Sequence, residues 1–290
     1  MIRELKRSKK IIMSENKKYL FSYIDKTVTC YDAETYKEII EINFQSIVSK
    51  IAVSHNSKML AVKTLVGDIY VYKIKDFIKI CEFRCEETRA TQTFDMIFSK
   101  DNKKIIDLVL SNNNLGYISI RDIKTAKEAV YFQGKSSIFE TIKYLKSKDN
   151  YFITGLDKLN LKKKNRYFYA FLDLEKEEFK KINLKHQIKK TAYAENINKT
   201  FNLGIGIDEN KIFKFNSRIY KIEGVIKDIN VSNKGDKLLV YNENLITLFD
   251  TKKFNMLKKF EMEDINYIDF SKEDTKLYMC SDKETVIYEL

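Results

Sequence analysis

Short apolar segments alternate with short polar ones along the whole chain, and one arrangement of them recurs. In each copy an apolar segment ends at a small residue, a polar turn rich in Asn, Asp and Lys follows, and a second apolar segment comes after the turn. The turn-opening positions are Ser14, Ser54, Ser99, Lys146, Ala194, Ser232 and Ser271. Successive positions are 38 to 48 residues apart, so a supersecondary unit of this period is predicted to repeat seven times.

Two further apolar segments complete each copy. The third alternates apolar and polar residues and often ends in Asp, as in TVTCYD and LITLFD, and a fourth follows after a polar turn. This predicts four strands of about five residues per repeat. No segment of about a dozen residues keeps an apolar period of 3.6, so helices should be nearly absent.

The repeat predicts a fold class. A twisted four-stranded sheet does not bury both of its faces alone, whereas seven such sheets packed radially cover one another. We therefore predict an all-β, seven-bladed β-propeller of four-stranded blades, forming one domain over residues 1–290. The last repeat ends at Leu290 after its third strand, so the N-terminal strand Ile2–Leu5 is expected to close the last blade and remove its exposed edge.

The chain resembles a divergent WD-repeat β-propeller over its full length. The resemblance lies in the strand order and in the third-strand endings Tyr31-Asp32, Arg121-Asp122, Leu172-Asp173 and Phe249-Asp250. In the family this ending is usually Trp-Asp, but the chain has no Trp, and the Gly-His pair that opens a family repeat is missing. Six-bladed propellers, or others with similar repeats, stay an open alternative.

The resemblance also implies a function and a face. WD-repeat relatives mostly serve as assembly platforms, which implies a non-catalytic scaffold or protein-interaction module that binds a partner protein. The family arrangement places the loop between second and third strands on the same face as the links that enter each repeat. That loop-rich face is the expected partner site, and its loops are Thr64–Asp68, Ser111–Gly116 and Ile207–Asn210.

The charge of the chain suggests a competing partner. The net charge is +12, and a basic protein attracts anions such as nucleic acid or a membrane surface. However, 46 of the 53 basic residues are Lys and only 7 are Arg, whereas specific contacts to phosphates and bases favour Arg. With no Pro and no Trp, this composition is typical of an AT-rich genome, and a diffuse excess of Lys mainly favours solubility.

One insertion concentrates the positive charge. The fourth repeat carries LDKLNLKKKNR, residues 156–166, between its second and third strands, and residues 157–190 have a net charge of +6. The candidate partner-binding residues there are Lys158, Lys162, Lys163, Lys164 and Arg166. The aromatic strand after them contains Tyr167, Phe168, Tyr169 and Phe171. Basic and aromatic residues together bind phosphates and stack on bases, so nucleic-acid or anionic-surface binding is the alternative function, although the same aromatic side chains would equally fill a core.

Catalytic chemistry finds little support in the sequence. The two histidines, His55 and His186, fall in different repeats, and we expect both in exposed turns. The four cysteines form no CxxC pair, and we expect free thiols and a reducing cytoplasm. No phosphate-binding loop, nucleophile elbow or zinc motif occurs, and Gly204 and Gly206 suggest close packing or a bulge. We therefore predict no enzyme, no cofactor and no catalytic or metal site, with a propeller enzyme as the third hypothesis.

The basic insertion yields a first prediction. Changing Lys162, Lys163, Lys164 and Arg166 together to Ser should shift the free energy of unfolding by less than about 0.5 kcal/mol, as exposed substitutions usually do. If the insertion binds nucleic acid, each lost phosphate contact should reduce the slope of log affinity against log salt by about 0.7–0.9. Titration of a short RNA or DNA at several salt concentrations measures this slope. Equal binding by the wild type and the variant would contradict the role of the insertion.

Overall fold

The structure is a computed structural model that describes residues 2–85, 93–110, 116–133, 137–146, 149–157, 167–182, 188–196, 199–206, 211–214, 219–221 and 224–290. Within residues 188–221 the description concerns the backbone. The chain divides into two compact units. The four-sheet unit comprises Ile12–Leu184, and the three-sheet unit comprises Met1–Ile11 and Lys185–Leu290. In the described ranges the regular elements are β-strands, as the absence of a helical apolar period predicts.

The four-sheet unit contains antiparallel sheets in which strands consecutive in sequence are neighbours, the first sheet beginning at Lys10. The first two sheets consist of β2 (Lys10–Met13), β3 (Tyr19–Ile24), β4 (Thr27–Asp32) and β5 (Glu38–Asn43), and of β6 (Val48–Val53), β7 (Met59–Thr64), β8 (Ile69–Lys73) and β9 (Lys79–Phe83). The next two consist of β10 (Thr93–Phe98), β11 (Lys104–Leu110), β12 (Gly116–Asp122) and β13 (Glu128–Gln133), and of β14 (Ser137–Leu145), β15 (Asn150–Asp157), β16 (Tyr167–Asp173) and β17 (Glu178–Ile182).

The three-sheet unit follows the same order of strands. Two of its sheets consist of β18 (Ile188–Asn196), β19 (Lys199–Gly206), β20 (Lys211–Lys214) and β21 (Ile219–Lys221), and of β22 (Asp228–Val231), β23 (Lys237–Tyr241), β24 (Leu245–Asp250) and β25 (Met256–Glu261). The third consists of β26 (Ile265–Phe270), β27 (Lys276–Ser281), β28 (Thr285–Glu289) and β1 (Ile2–Leu5).

The closure of the last sheet by the N-terminal strand is confirmed. Strand β1 pairs antiparallel with β28, from Ile2 opposite Tyr288 to Leu5 opposite Thr285. The residues that follow β1 extend the contact, since the Ser8 and Thr285 hydroxyls are 2.7 Å apart. The outer edge of β28, which would otherwise present unpaired backbone groups, is therefore covered by the start of the same chain.

The predicted number of seven equivalent blades is corrected. Six four-stranded blades have a described core, whereas the sheet β18–β21 is narrower than they are: β20 pairs with β19 over three positions, and β21 is three residues long. The first two strands of this sheet pair over eight positions although Ala194 stands where five other copies have Ser, so the departure from the repeat lies in its third and fourth strands.

The core lies between successive sheets, because the central strands are apolar on both faces. In β3 the neighbouring residues Leu20 and Phe21 point to opposite faces, and both are fully buried. At the ends of first strands, Phe98 and Phe270 are buried, whereas Val231 is half-buried. Strands covered on both sides read as continuous apolar runs, which is why the repeat was visible in the sequence.

The recurring Ser closes the turn between the first and second strands. The Ser54 Oγ atom donates to Asn56 Oδ1 at 2.8 Å and accepts a hydrogen bond from the Met59 amide at 2.8 Å. The third residue after the Ser, Ser57, has a φ of 57°, in the left-handed region. The same Ser-to-amide bond forms at four further turns, opened by Ser14, Ser99, Ser232 and Ser271.

These turns also join each sheet to the next one within a unit. In the four-sheet unit the Asn16 amide donates to Ser57 Oγ at 2.9 Å, and the Lys100 amide donates to the Tyr151 hydroxyl at 2.9 Å. In the three-sheet unit the Asn233 amide donates to Asp274 Oδ1 at 2.7 Å. One short motif therefore stabilises the hairpin and also links it by hydrogen bonds to the next sheet.

The N-terminal strand yields a second prediction. Deleting residues 1–7 should lower the free energy of unfolding by several kcal/mol, because about four ladder positions are lost at about 1 kcal/mol each and the β28 edge becomes exposed. Thermal and urea denaturation measure the loss. As a control, Glu4→Gln keeps the strand and changes an exposed side chain, so its melting temperature should match the wild type. An unchanged melting temperature after the deletion would contradict the role of β1.

Candidate functional site

The predicted basic site lies outside the described residues. Lys158, Lys162, Lys163, Lys164 and Arg166 all fall between Asp157 and Tyr167. The strand that follows them, β16, is described, and three of its four aromatic side chains belong to the core: Tyr167, Phe168 and Tyr169 are 8%, 7% and 1% exposed, whereas Phe171 is half-buried. The Phe168 ring meets the Phe139 ring edge-on at 5.7 Å. These three side chains therefore fill the protein interior and offer no faces for stacking on bases.

The loop between β7 and β8 forms a closed turn on the predicted partner face. The Thr64 amide donates to the Asp68 carbonyl at 2.9 Å, and the Gly67 amide donates to the Thr64 carbonyl at 3.0 Å. Gly67 has a φ of 95°, and a Cβ atom there would come within 2.9 Å of Cys85 Sγ. Only glycine fits this position, so the sequence Thr-Leu-Val-Gly-Asp folds into a turn of fixed shape.

Three exposed aliphatic residues lie at this loop or at the link joined to it, and we call Ile47, Leu65 and Val66 the aliphatic patch. Their exposed fractions are 42%, 43% and 46%. The Leu65 amide donates to the Ile47 carbonyl at 2.8 Å, which joins the loop to the link that enters the sheet. Two segments distant in sequence thus present neighbouring apolar side chains to solvent.

The link that carries Ile47 is held at both ends. The Phe44 amide donates to the Lys26 carbonyl at 2.8 Å, and the Val48 amide donates to the Asp25 carbonyl at 2.6 Å. The Phe44 ring packs against Tyr70, with ring centroids 5.4 Å apart. Burial and the nearby Asp68 carboxylate raise the pKa of Tyr70 above its usual value. The aliphatic patch therefore stands on an ordered support.

A buried ionic cluster lies directly beneath the loop, at the residue before Thr64. The Lys63 ammonium group is 2.5 Å from Asp107 Oδ1 and donates to the Leu108 carbonyl at 3.2 Å. Arg121 Nη2 contacts the other oxygen of Asp107 at 3.4 Å, and Arg121 Nη1 is 3.6 Å from Glu128. The side chains of Lys63, Asp107 and Arg121 are 2%, 0% and 3% exposed. Asp107 therefore pairs with Lys63 across the boundary between the second and third sheets and with Arg121 within the third sheet.

This cluster was not predicted, although the sequence contains a signal for it. Lys63 and Asp107 interrupt the apolar runs MLAVKT and KIIDLVL, at positions where neighbouring residues are buried. Charged residues are almost never fully buried unless they are paired, so each charge predicts a partner. The identity of that partner depends on the contact between two sheets, which one sequence does not reveal.

A groove in the three-sheet unit combines acidic residues with a cavity of about 530 Å³. Its lining residues are Asn244, Leu245, Glu261, Met262, Glu263, Ser281, Lys283 and Glu284. Glu263 pairs with Lys283, and their hydrogen bond lowers the pKa of Glu263 below its usual range. The groove is therefore acidic although the chain as a whole is basic.

The histidine expected in an exposed turn is half-buried instead. His55 Nε2 is 3.3 Å from the Phe98 carbonyl, and the His55 ring is 5.3 Å from the Tyr144 ring. The Tyr144 hydroxyl donates to Asp149 at 2.6 Å, and burial together with this hydrogen bond raises the pKa of Tyr144 to about 12. The second histidine, His186, lies outside the described residues.

The cysteines are free thiols, as predicted: Cys30, Cys81 and Cys280 are buried and Cys85 is half-buried. Burial raises the pKa of Cys30 to about 12 and that of Cys280 to about 11, so both stay protonated near neutral pH. In the described part of the chain, no three His, Cys, Asp or Glu side chains are grouped so that they could hold a metal ion. No helix among the described residues is long and apolar enough to cross a membrane.

Comparison with solved structures defines the fold as a WD40-like β-propeller. The Cps50 (Swd1) β-propeller domain of Myceliophteria thermophila matches with a TM-score of 0.78 and 12% identity, over 100% of both chains. Kuenenia stuttgartiensis hydrazine synthase matches with a TM-score of 0.73 and 12% identity, over 99% of this chain and 97% of that one. The structure of U3-55K matches with a TM-score of 0.72 and 11% identity, over 100% and 98%. Neither the protein-family models nor the curated proteins contain a match.

The prediction that the chain is not an enzyme is corrected, because an enzyme shares this fold. A chain of hydrazine synthase, which its name makes an enzyme, shares the fold over almost its full length. The propeller architecture therefore gives no ground for denying catalysis, and function has to be argued from individual sites.

The buried ionic cluster yields a third prediction. Asp107→Asn should lower the free energy of unfolding by about 3–5 kcal/mol, because two buried cations lose their shared counter-ion. Lys63→Met should cost less, because Arg121 still neutralises Asp107. Urea denaturation compares the two variants with Lys50→Met, which removes the half-exposed Lys50–Asp95 pair and should change stability by at most about 1 kcal/mol. The cluster would lose its proposed importance if Asp107→Asn cost no more than Lys50→Met.

Proposed function

We propose that the chain is a protein-interaction module that binds a partner protein through the aliphatic patch on its loop-bearing edge. The observation that carries the proposal is that Ile47, Leu65 and Val66, each more than 40% exposed, lie on loops joined by a backbone hydrogen bond. Clustered exposed apolar side chains mark interaction sites more strongly than single ones do.

The support of the patch favours binding. Association has to overcome the entropy of ordering loops and side chains, and a surface that is already ordered reduces this cost. The Thr64–Asp68 turn is closed by two backbone hydrogen bonds, and Lys63 anchors its first strand inside the protein. The patch therefore meets a partner in the conformation that it has without the partner.

Other exposed apolar residues occupy a different environment. Ile78 and Ile80 lie in or beside β9, and Met256 and Leu257 lie in β25, each the outermost strand of its sheet. Strand β25 continues with the exposed Lys258 and Lys259, and charged residues on an edge strand discourage pairing with another strand. The loop-bearing patch lacks such protection, which supports it as the docking surface.

Two further expectations stay proposals. Free thiols at all four cysteines support a reducing compartment such as the cytoplasm. Binding of an anionic partner through Lys158, Lys162, Lys163, Lys164 and Arg166 now rests mainly on charge, because three of the four aromatic side chains of β16 are buried.

Charge placed in the patch tests the proposed function. Leu65→Asp and Val66→Asp, made separately, should each weaken partner binding about 30-fold or more, as loss of a central apolar contact does. The measurement is quantitative affinity purification of the full chain from its native cells, comparing the amount of the stoichiometric partner. Ile78→Asp is the matched control, since Ile78 is 57% exposed at the outer strand of the same sheet. A wild type that purifies alone under gentle conditions, or equal partner recovery with Leu65→Asp and Ile78→Asp, would overturn the proposal.

A further inference from the structure

We infer that the partner contacts the aliphatic patch with an uncharged apolar segment, so that this binding is nearly independent of salt although the chain carries a net charge of +12. The inference rests on the proposed function and adds the chemistry of the partner. It follows from what surrounds the patch.

The two segments that form the patch contain no charged residue. Residues 42–49 read INFQSIVS and residues 64–67 read TLVG, in a chain in which 32% of the residues are charged. The hydrogen bond between the Leu65 amide and the Ile47 carbonyl brings these two segments together. Their combination produces a charge-free surface on an otherwise highly charged protein.

The described charges at the border of this surface are offset or engaged. The turn beside the link consists of Asp25 and Lys26, which are both exposed and carry opposite charges. Asp68, which ends the loop, accepts hydrogen bonds from the Cys85 amide at 2.9 Å and from the Tyr70 hydroxyl at 3.4 Å. The charge beneath the patch, on Lys63, is buried and bound to Asp107, so it is not available to a partner. Among the described residues, an ionic group on the partner would therefore find no unengaged counter-ion at the centre of the patch.

Desolvation then selects the partner. Covering the patch removes water from whatever contacts it, and a charge buried without a counter-ion is strongly disfavoured. The Leu65 and Gly67 amides at the patch already donate to carbonyls of this chain, so they do not donate hydrogen bonds to a partner. Aliphatic or aromatic side chains of the partner make the favourable contact, because they gain burial and leave no polar group unpaired.

This selection opposes the general field of the protein. A net charge of +12 attracts acidic molecules to the surface as a whole, and such attraction weakens as salt screens it. Binding at the patch should instead be nearly independent of salt, because burial of apolar area is not screened by salt. Salt dependence therefore separates a partner at the patch from an anionic partner bound elsewhere.

A random peptide library displayed on phage provides a defined probe. The full-length wild type is the selection target, and binders that also bind Leu65→Asp are removed. We expect the remaining peptides to be enriched in aliphatic and aromatic residues and depleted in Asp and Glu. Synthetic copies of the most enriched peptides are then titrated into the protein at about 50 and about 500 mM NaCl, between which the Debye length falls about threefold.

The dissociation constants should differ by less than about twofold between the two salt concentrations, and Leu65→Asp should weaken binding at both, while Ile78→Asp should not. Enrichment of acidic peptides, a loss of affinity of tenfold or more at high salt, or no peptide that depends on Leu65 would each overturn the inference. Sedimentation of the protein alone tests whether a second copy of this chain occupies the patch. A wild-type dimer that Leu65→Asp converts to a monomer would assign the patch to that second copy and would likewise overturn the inference.

The outcome is separable from that of the proposed function. If affinity purification finds a protein partner that depends on Leu65, but the selected peptides are acidic, the interaction module stands and the chemistry of its partner is wrong. If the peptides are apolar but no cellular partner depends on Leu65, the patch has the inferred chemistry and the proposed function fails.

Discussion

The structure depends on one hydrogen-bonded turn. In five of the described turns between first and second strands, a buried Ser accepts the amide five residues later, and a residue in the left-handed region lets the chain reverse. The same turns donate hydrogen bonds to the next sheet, so a local motif also sets how neighbouring sheets dock. A four-stranded sheet is marginal alone, and this double use of the turn is what makes a chain of such sheets cooperative.

The turn explains which parts of the fold were predictable. Ser, Asn and Asp recur because each makes a short-range bond, and such bonds leave a mark in the local sequence, as at Ser54 and Asn56. The Lys63–Asp107 pair joins residues 44 positions apart on different sheets, so the sequence showed two isolated charges and no pair. For the aromatic residues of β16 the sequence supported both core packing and base stacking, and only their burial decides between the two.

The aliphatic patch was beyond prediction for a related reason. The loop Thr64–Asp68 was identifiable as irregular, but Ile47 lies in a link that has no motif. The two meet through a backbone hydrogen bond, which is available to any residue type and therefore leaves no signature in the side chains. The visible signal was negative: a stretch without charge, INFQSIVS, in a chain rich in Lys and Glu.

The two ends of each strand consequently face different constraints. At Met59 the start of β7 belongs to a turn whose Ser and Asn side chains are engaged within the turn, and whose backbone also donates to the next sheet. At Thr64 the end of β7 opens into a loop whose own hydrogen bonds are made by backbone groups. The side chains of Leu65 and Val66 are therefore not needed to hold the shape of the loop. The buried Lys63 is bound to Asp107 immediately before that loop, which fixes the end of β7 independently of the loop residues. Because one end of each strand is tied into hydrogen-bonded turns and the other opens into loops, the loops can vary at little cost in stability. This is the physical reason for placing the proposed binding surface in the loops.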